Sequence, residues 1–189
     1  MDKWIEDFVN IIKSCRYDNT YKMAWAKALV ETAMDSNACP VGTEKCPVTL
    51  RSMAEKIVRY YWNQTIFFNL EQGSNPKKPP SLQTLANTMI GAYRSLFGIH
   101  ARDRYERVEW KIRNMDDYDR WMRVAVRALK TDVSYRFLNL DGVTYKDIYT
   151  YVKGDDVLLI QKEHLLTLKT YAFMLLDLIN YRWSLIPET

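Results

Sequence analysis

The sequence predicts a mainly helical α+β domain: about seven helices, with a small antiparallel β-hairpin before the last one. Three observations carry this. Apolar residues recur at three- and four-residue steps along most of the chain, the period of a helix with one buried face. Residues 132–161 depart from that period, clustering β-branched and aromatic residues around an Asp-Gly turn pair. Runs of Pro, Gly, Asn and Ser separate the periodic stretches. The length of 189 residues fits one domain. It divides into an N-terminal helical part (1–98), a basic helical pair (99–131), a β-hairpin (132–161) and a C-terminal helix (162–186).

Each element follows from its local pattern. Trp4, Ile5, Phe8, Val9, Ile11 and Ile12 hold helical spacing behind Asp2, a capping residue type. Residues 16–20 break the pattern. A second helix then begins near Asn19 or Thr20, with Tyr21, Trp25, Ala28 and Leu29 on its stripe. Residues 35–48, DSNACPVGTEKCPV, read as a loop. Thr49 caps a third helix of about 20 residues, long for a globular domain. Its face holds Leu50, Met53, Ile57, Tyr61, Gln64 and Phe68, and residues 73–80 stop it. Ser81 caps a fourth, with Leu82, Leu85, Met89, Tyr93 and Leu96 aligned, and Gly98 ends it.

The basic pair follows. Tyr105, Val108, Ile112 and Met115 form the stripe of a fifth helix. Asp116 or Asp117 starts a sixth, whose apolar face is Trp121, Val124, Ala125, Ala128 and Leu129. Beyond Thr131, VSYRFLNL, IYTYV and VLLI read as two or three short strands, turning at Asp141-Gly142 and at Lys153-Gly154-Asp155. Helical period returns from Glu163 to Leu185, apolar around much of the circumference, which suggests burial on two sides. Pro187 cannot continue that helix.

Composition narrows the class. Hydrophobic content of 48% and charged content of 26% suit a globular chain. No apolar run reaches the roughly 20 residues that span a bilayer. Three cysteines, Cys15, Cys39 and Cys46, and an N-terminus without a signal-peptide pattern read as cytoplasmic with reduced thiols. Cys39 and Cys46 are too far apart for the usual zinc pair, and His100 and His164 have no ligand-like neighbour, so no metal or cofactor is expected. The net charge of +4 is unevenly spread. Residues 101–131 hold nine Lys/Arg against six Asp/Glu, hence +3, and residues 132–189 hold six against eight, hence −2.

The basic segment contains the sharpest constellation. Arg120, Arg123, Arg127 and Lys130 follow at steps of three, four and three, so they occupy one arc of the sixth helix. No acidic residue stands between the first and the last. A solvated face usually mixes signs, whereas an unmixed one fits phosphate contacts. Helix, helix, then hairpin is also the chain order of a winged helix. Lys77 and Lys78, between prolines, are a second candidate phosphate contact. Asp155 and Asp156 sit beside a strand, but their spacing to Lys162 is wrong for a nuclease carboxylate site, and a hairpin turn accounts for them better. Tyr21, Trp25, Tyr61, Trp62, Phe68 and Trp183 are assigned to the core rather than to base stacking. No catalytic residue is assigned.

Several segments resemble the N-terminal region of bacterial HNH endonucleases of the restriction type. They are NTYKMAWAKALVE (19–31), YYWNQTIFFNLEQGSNPKKPP (60–80), YRFLNL (135–140), IYTYVKGDDVLLI (148–160) and LINYRWSLI (178–186). Their order matches across most of the chain, and the second is the most specific. The resemblance implies a catalytic HNH module following this region, so none of that module's catalytic residues transfers to a position here. It also implies a role in DNA engagement, self-association or target sensing, with double-stranded DNA, an HNH nuclease module or a second copy of the chain as partners. The first reading is a non-catalytic DNA-associated domain contacting the duplex backbone. The alternative is a protein-interaction or dimerisation module of a defence-type protein.

Overall fold

A computed structural model describes residues 2–14, 20–35, 39–68, 80–152 and 154–185. Its centre is α2 (Tyr21–Met34), which buries Met23, Ala24, Trp25, Ala26, Ala28, Leu29, Val30 and Ala33 around its circumference. A helix that is apolar on all sides must be enclosed, and the four alanines let neighbours approach closely. Around it pack α1 (Lys3–Ser14), α3 (Leu50–Phe68), α8 (Lys162–Thr170) and α9 (Ala172–Ser184). Beyond α3 lie α4 (Ser81–Phe97), α5 (Tyr105–Arg113) and α6 (Tyr118–Ala128). The buried apolar residues of all these helices join in one cluster.

Several local expectations are met by specific bonds. Asp2 Oδ1 accepts the Trp4 N–H at 3.2 Å, and Thr49 Oγ1 accepts the Ser52 N–H at 3.1 Å, each satisfying a first-turn amide. Gly98 ends α4 with φ of 112°, a conformation that L side chains rarely adopt. Trp62 donates Nε1–H to the Asp103 carbonyl at 3.0 Å, and Tyr93 donates its hydroxyl to Asp103 Oδ2 at 2.7 Å. The segment joining α4 to α5 is thereby tied to both α3 and α4. Asp141 and Gly142, both at positive φ, make the tight turn of a two-stranded ribbon, β2 (Asn139–Leu140) with β3 (Val143–Thr144).

The sheet corrects the reading of residues 35–48 as loop throughout. Lys45–Thr49 is a strand, β1, lying antiparallel to β5 (Val157–Gln161), which also pairs with β4 (Thr150–Val152) in the order β1-β5-β4. The alternation in Lys-Cys-Pro-Val-Thr puts Cys46 and Val48 on the buried face. Pro47, which cannot donate to a ladder, is tolerated because β1 is an edge strand. Cys39 and Cys46 are joined as a disulfide, against the expectation of reduced thiols, because the short loop folds back and brings their Cα atoms to 4.6 Å.

Four further expectations are corrected. The start of VSYRFLNL is helical, not extended: a π-helical turn (Leu129–Val133) and α7 (Ser134–Phe137) carry α6 onward. Leu129, Val133 and Phe137 fall at four-residue steps and are all buried, so core burial overrides β propensity. The C-terminal helix is two helices, interrupted at Tyr171. Ser81 lies in the first turn of α4, with Pro80 in the cap position, and its hydroxyl lies 3.2 Å from the Tyr21 hydroxyl. Val124, Leu96 and Phe68 are exposed rather than core. Met122 fills the place given to Val124, while Leu96 and Phe68 sit in helical last turns that overshoot the core edge. Tyr21, Trp25, Tyr61, Trp62 and Trp183 are buried as expected.

Candidate nucleic-acid interface

α6 forms because its sequence divides cleanly. Tyr118, Trp121, Met122, Ala125 and Ala128 face the core, and the intervening positions face outward. Arg120, Arg123 and Arg127 emerge on the outward side, and Lys130 follows in the π-helical turn. The winged-helix order is only partly met. β1, α7 and the β2–β3 ribbon come between or before the expected elements, and the β4–β5 hairpin is completed by β1, which precedes α3.

The four cations have different surroundings. Arg120 Nη2 pairs with Asp117 Oδ2 at 3.1 Å, one turn back on its own helix. Lys130 Nζ bonds Asp156 Oδ1 at 2.7 Å, and Tyr151 donates its hydroxyl to the same oxygen at 3.0 Å. That hydrogen bond from Lys130, with a second from Tyr151, holds the Asp156 carboxyl below the usual range, and the same bond raises Lys130. Arg123 and Arg127 have no ion pair within 4 Å among the described residues. The stripe that is unmixed in sequence is therefore neutralised at its two ends by acids the sequence placed elsewhere. Its middle remains open.

Arg123, Arg127 and Lys130 line a groove of about 520 Å³ that is completed by Thr49, Arg51, Met122, Val126, Asp155 and Asp156. Its floor is α6, one wall is the junction of β1 with α3, and the other is the β4–β5 turn. Four cations against two carboxylates leave the lining at +2. Arg51 has no counterpart in the sequence shortlist. It bonds Asp119 at 2.7 Å and Glu55 at 3.3 Å and lies over the Tyr118 ring at 5.5 Å. The packing of α3 on α6 and the pairing of β1 with β5 bring its helix start to the groove, so no spacing rule could have found it. Asp156 sits at φ of 51° in the hairpin turn, as the turn reading of that pair expects. Lys77 and Lys78 lie outside the described residues.

The most strongly perturbed groups lie away from this groove. Burial pushes the Tyr60 hydroxyl far up and Lys27 down. Lys27 and Arg59 both stack over the Tyr60 ring, Arg59 pairs with Glu31, and Lys27 bonds Asn180 at 3.2 Å. The network clamps α2, α3 and α9 together. A second groove, of about 610 Å³, lies between α4, α5 and the start of α6 and is apolar, with Lys111 over Phe97 at 4.5 Å. Among the described residues, no helix is long and apolar enough to cross a membrane. Comparison with models of known protein families, with curated proteins and with solved structures finds no match for this chain, so the resemblance to HNH endonucleases rests on the quoted segments alone.

Proposed function

We propose that this chain is a non-catalytic domain that holds the backbone of duplex DNA in the groove floored by α6, in the setting of a restriction-type HNH endonuclease. The observation that carries the reading is the pair Arg123 and Arg127. They are two exposed guanidinium groups one turn apart, opening into a groove with a net positive lining and without a carboxylate at ion-pair distance among the described residues. Guanidinium forks match phosphate oxygens bidentately and are weakly hydrated, so they release little water on contact. Lys130 reinforces them by exchanging Asp156 for a phosphate, since exposed ion pairs are weak and readily traded. Lys77 and Lys78 belong to the reading on sequence grounds, as a further backbone contact. The chain is given no catalytic step and no cofactor.

Phosphate contacts position a protein without reading sequence. Substituting Arg123 and Arg127 together by Ala is expected to weaken binding to all duplexes alike. It is also expected to flatten the plot of log affinity against log salt by about two units, one for each lost contact. Titration of a labelled duplex at several salt concentrations, with wild type and double variant, measures both. An unchanged affinity and slope would remove the reading.

A further inference from the structure

We propose that the groove on α6 is built for a phosphomonoester dianion, the charged group of a strand end or of a free nucleotide, rather than for a run of internal phosphates. This rests on the phosphate reading of Arg123 and Arg127 and narrows it to one chemical class. Three carboxylates beside the arginine row are already taken by other cations. Asp117 pairs with Arg120 at 3.1 Å, Asp119 with Arg51 at 2.7 Å and Asp156 with Lys130 at 2.7 Å. Asp119 stands one turn before Arg123, yet it is held below the usual carboxylate range chiefly by Arg51, with Arg123 a minor contributor. Arg123 and Arg127 are left as two surplus guanidinium groups, both exposed.

Charge, fork geometry and closed ends favour one terminal phosphate over a backbone that follows α6. The groove lining is +2, and a phosphomonoester carries about −1.5 to −2 near neutral pH, where an internal phosphate carries a single charge. Two guanidinium forks one turn apart can share the three oxygens of such a group bidentately. Phosphates following the helix axis would meet Asp117 at one end and Asp155 and Asp156 at the other. Asp155 is exposed and has no ion pair within 4 Å among the described residues, so it repels a second phosphate beside the first. The volume of about 520 Å³ lies in the range of small-ligand sites, and half-buried Val126 with Met122 offers the attached sugar an apolar patch.

The test uses one duplex sequence in several forms: covalently closed at both ends, open with hydroxyl ends, open with 5′-phosphates and open with 3′-phosphates. Each is labelled and titrated with the full chain by fluorescence anisotropy. A phosphorylated form should bind about tenfold or more tightly than the hydroxyl-ended and closed forms, the scale of hydrogen bonds between charged partners. Arg123→Ala with Arg127→Ala should erase that difference, and circular dichroism checks that the fold is retained. A nucleoside monophosphate, used as competitor, separates the two sources. Displacement at concentrations comparable to the phosphorylated duplex supports the site and names a free nucleotide as its source. Displacement only at about a hundredfold more supports it and names a strand end. Equal affinity for all the duplex forms, without competition by the nucleoside monophosphate, overturns the proposal and leaves the duplex-backbone reading standing. A preference for phosphorylated ends that survives in the double variant overturns this groove as the site. Affinity for the nucleoside monophosphate but for no duplex sinks the duplex reading and keeps this one, and affinity for neither removes both.

Discussion

α6 and α9 are built alike on the inside and oppositely on the outside. Each sends a buried row into the same cluster: Trp121, Met122 and Ala125 from the one, Leu175, Ile179 and Trp183 from the other. Outward, α6 presents Arg120, Arg123 and Arg127, and α9 presents Phe173, Met174 and Tyr181. The inner rows follow from the need to bury apolar surface, and they say only that both helices belong to the fold. The outer rows are free of that need. A cationic outer row suits a polyanion, and an apolar outer row suits a protein surface. One core thus supports two faces of different chemistry, and neither face constrains the other.

This comparison makes predictions of graded size. The largest effects belong to the inner rows. Leu175→Ala and Met122→Ala each leave a cavity in close-packed core and should cost about 2 to 5 kcal/mol. Urea denaturation should show this as a lower midpoint with the slope of stability against denaturant unchanged. If either row proves dispensable, the two helices are not equivalent members of one core.

A smaller effect should come from His164 on α8. Its ring stacks on Trp4 at 4.5 Å, Nδ1 has no hydrogen-bond partner among the described residues, and Nε2 lies 3.8 Å from Glu163. Desolvation lowers its pKa against the opposing pull of Glu163, Asp2 and Asp147. The unfolded chain therefore takes the proton first as pH falls, near the ordinary histidine value of about 6.5. Stability should be full above that value and decline below it. His164→Phe should keep the stacking and remove this part of the decline, read from denaturation midpoints across a pH series.

The smallest effects on stability belong to the outer rows. Arg123→Ala with Arg127→Ala, and separately Phe173→Ser, should each change monomer stability by less than about 0.5 kcal/mol, as surface substitutions do. A larger loss in either would show that the outer row is part of the fold after all and would dissolve the contrast.

Much of this architecture was legible in residue order. The helices from α1 to α6 were readable because their apolar residues keep a period near 3.6, and the Asp141-Gly142 turn because its two positive-φ residues suit the pair. The arginine row of α6 was legible for the same reason, since spacing along one helix fixes which side chains share an arc. What failed had another cause in each case. β1 was hidden in a proline-bearing loop, and its strand character depends on β5, more than 100 residues away. Residues 129–137 have β-type composition but continue a helix, because Leu129, Val133 and Phe137 find the core at helical steps.

The sequence by itself determined which residues could share a face, because a helix converts spacing into direction by local geometry alone. Only the tertiary structure decided which of those faces stayed free. The charge between Arg120 and Lys130 is unmixed along the chain, yet Asp117 and Asp156 neutralise its ends, and Arg51 joins its middle from the start of α3. The disulfide, the edge strand and the groove likewise bring together side chains from separate elements. Such pairings depend on loop closure and packing, which no periodicity records. The chain's own order could name Arg123 and Arg127, but only the fold could leave them open.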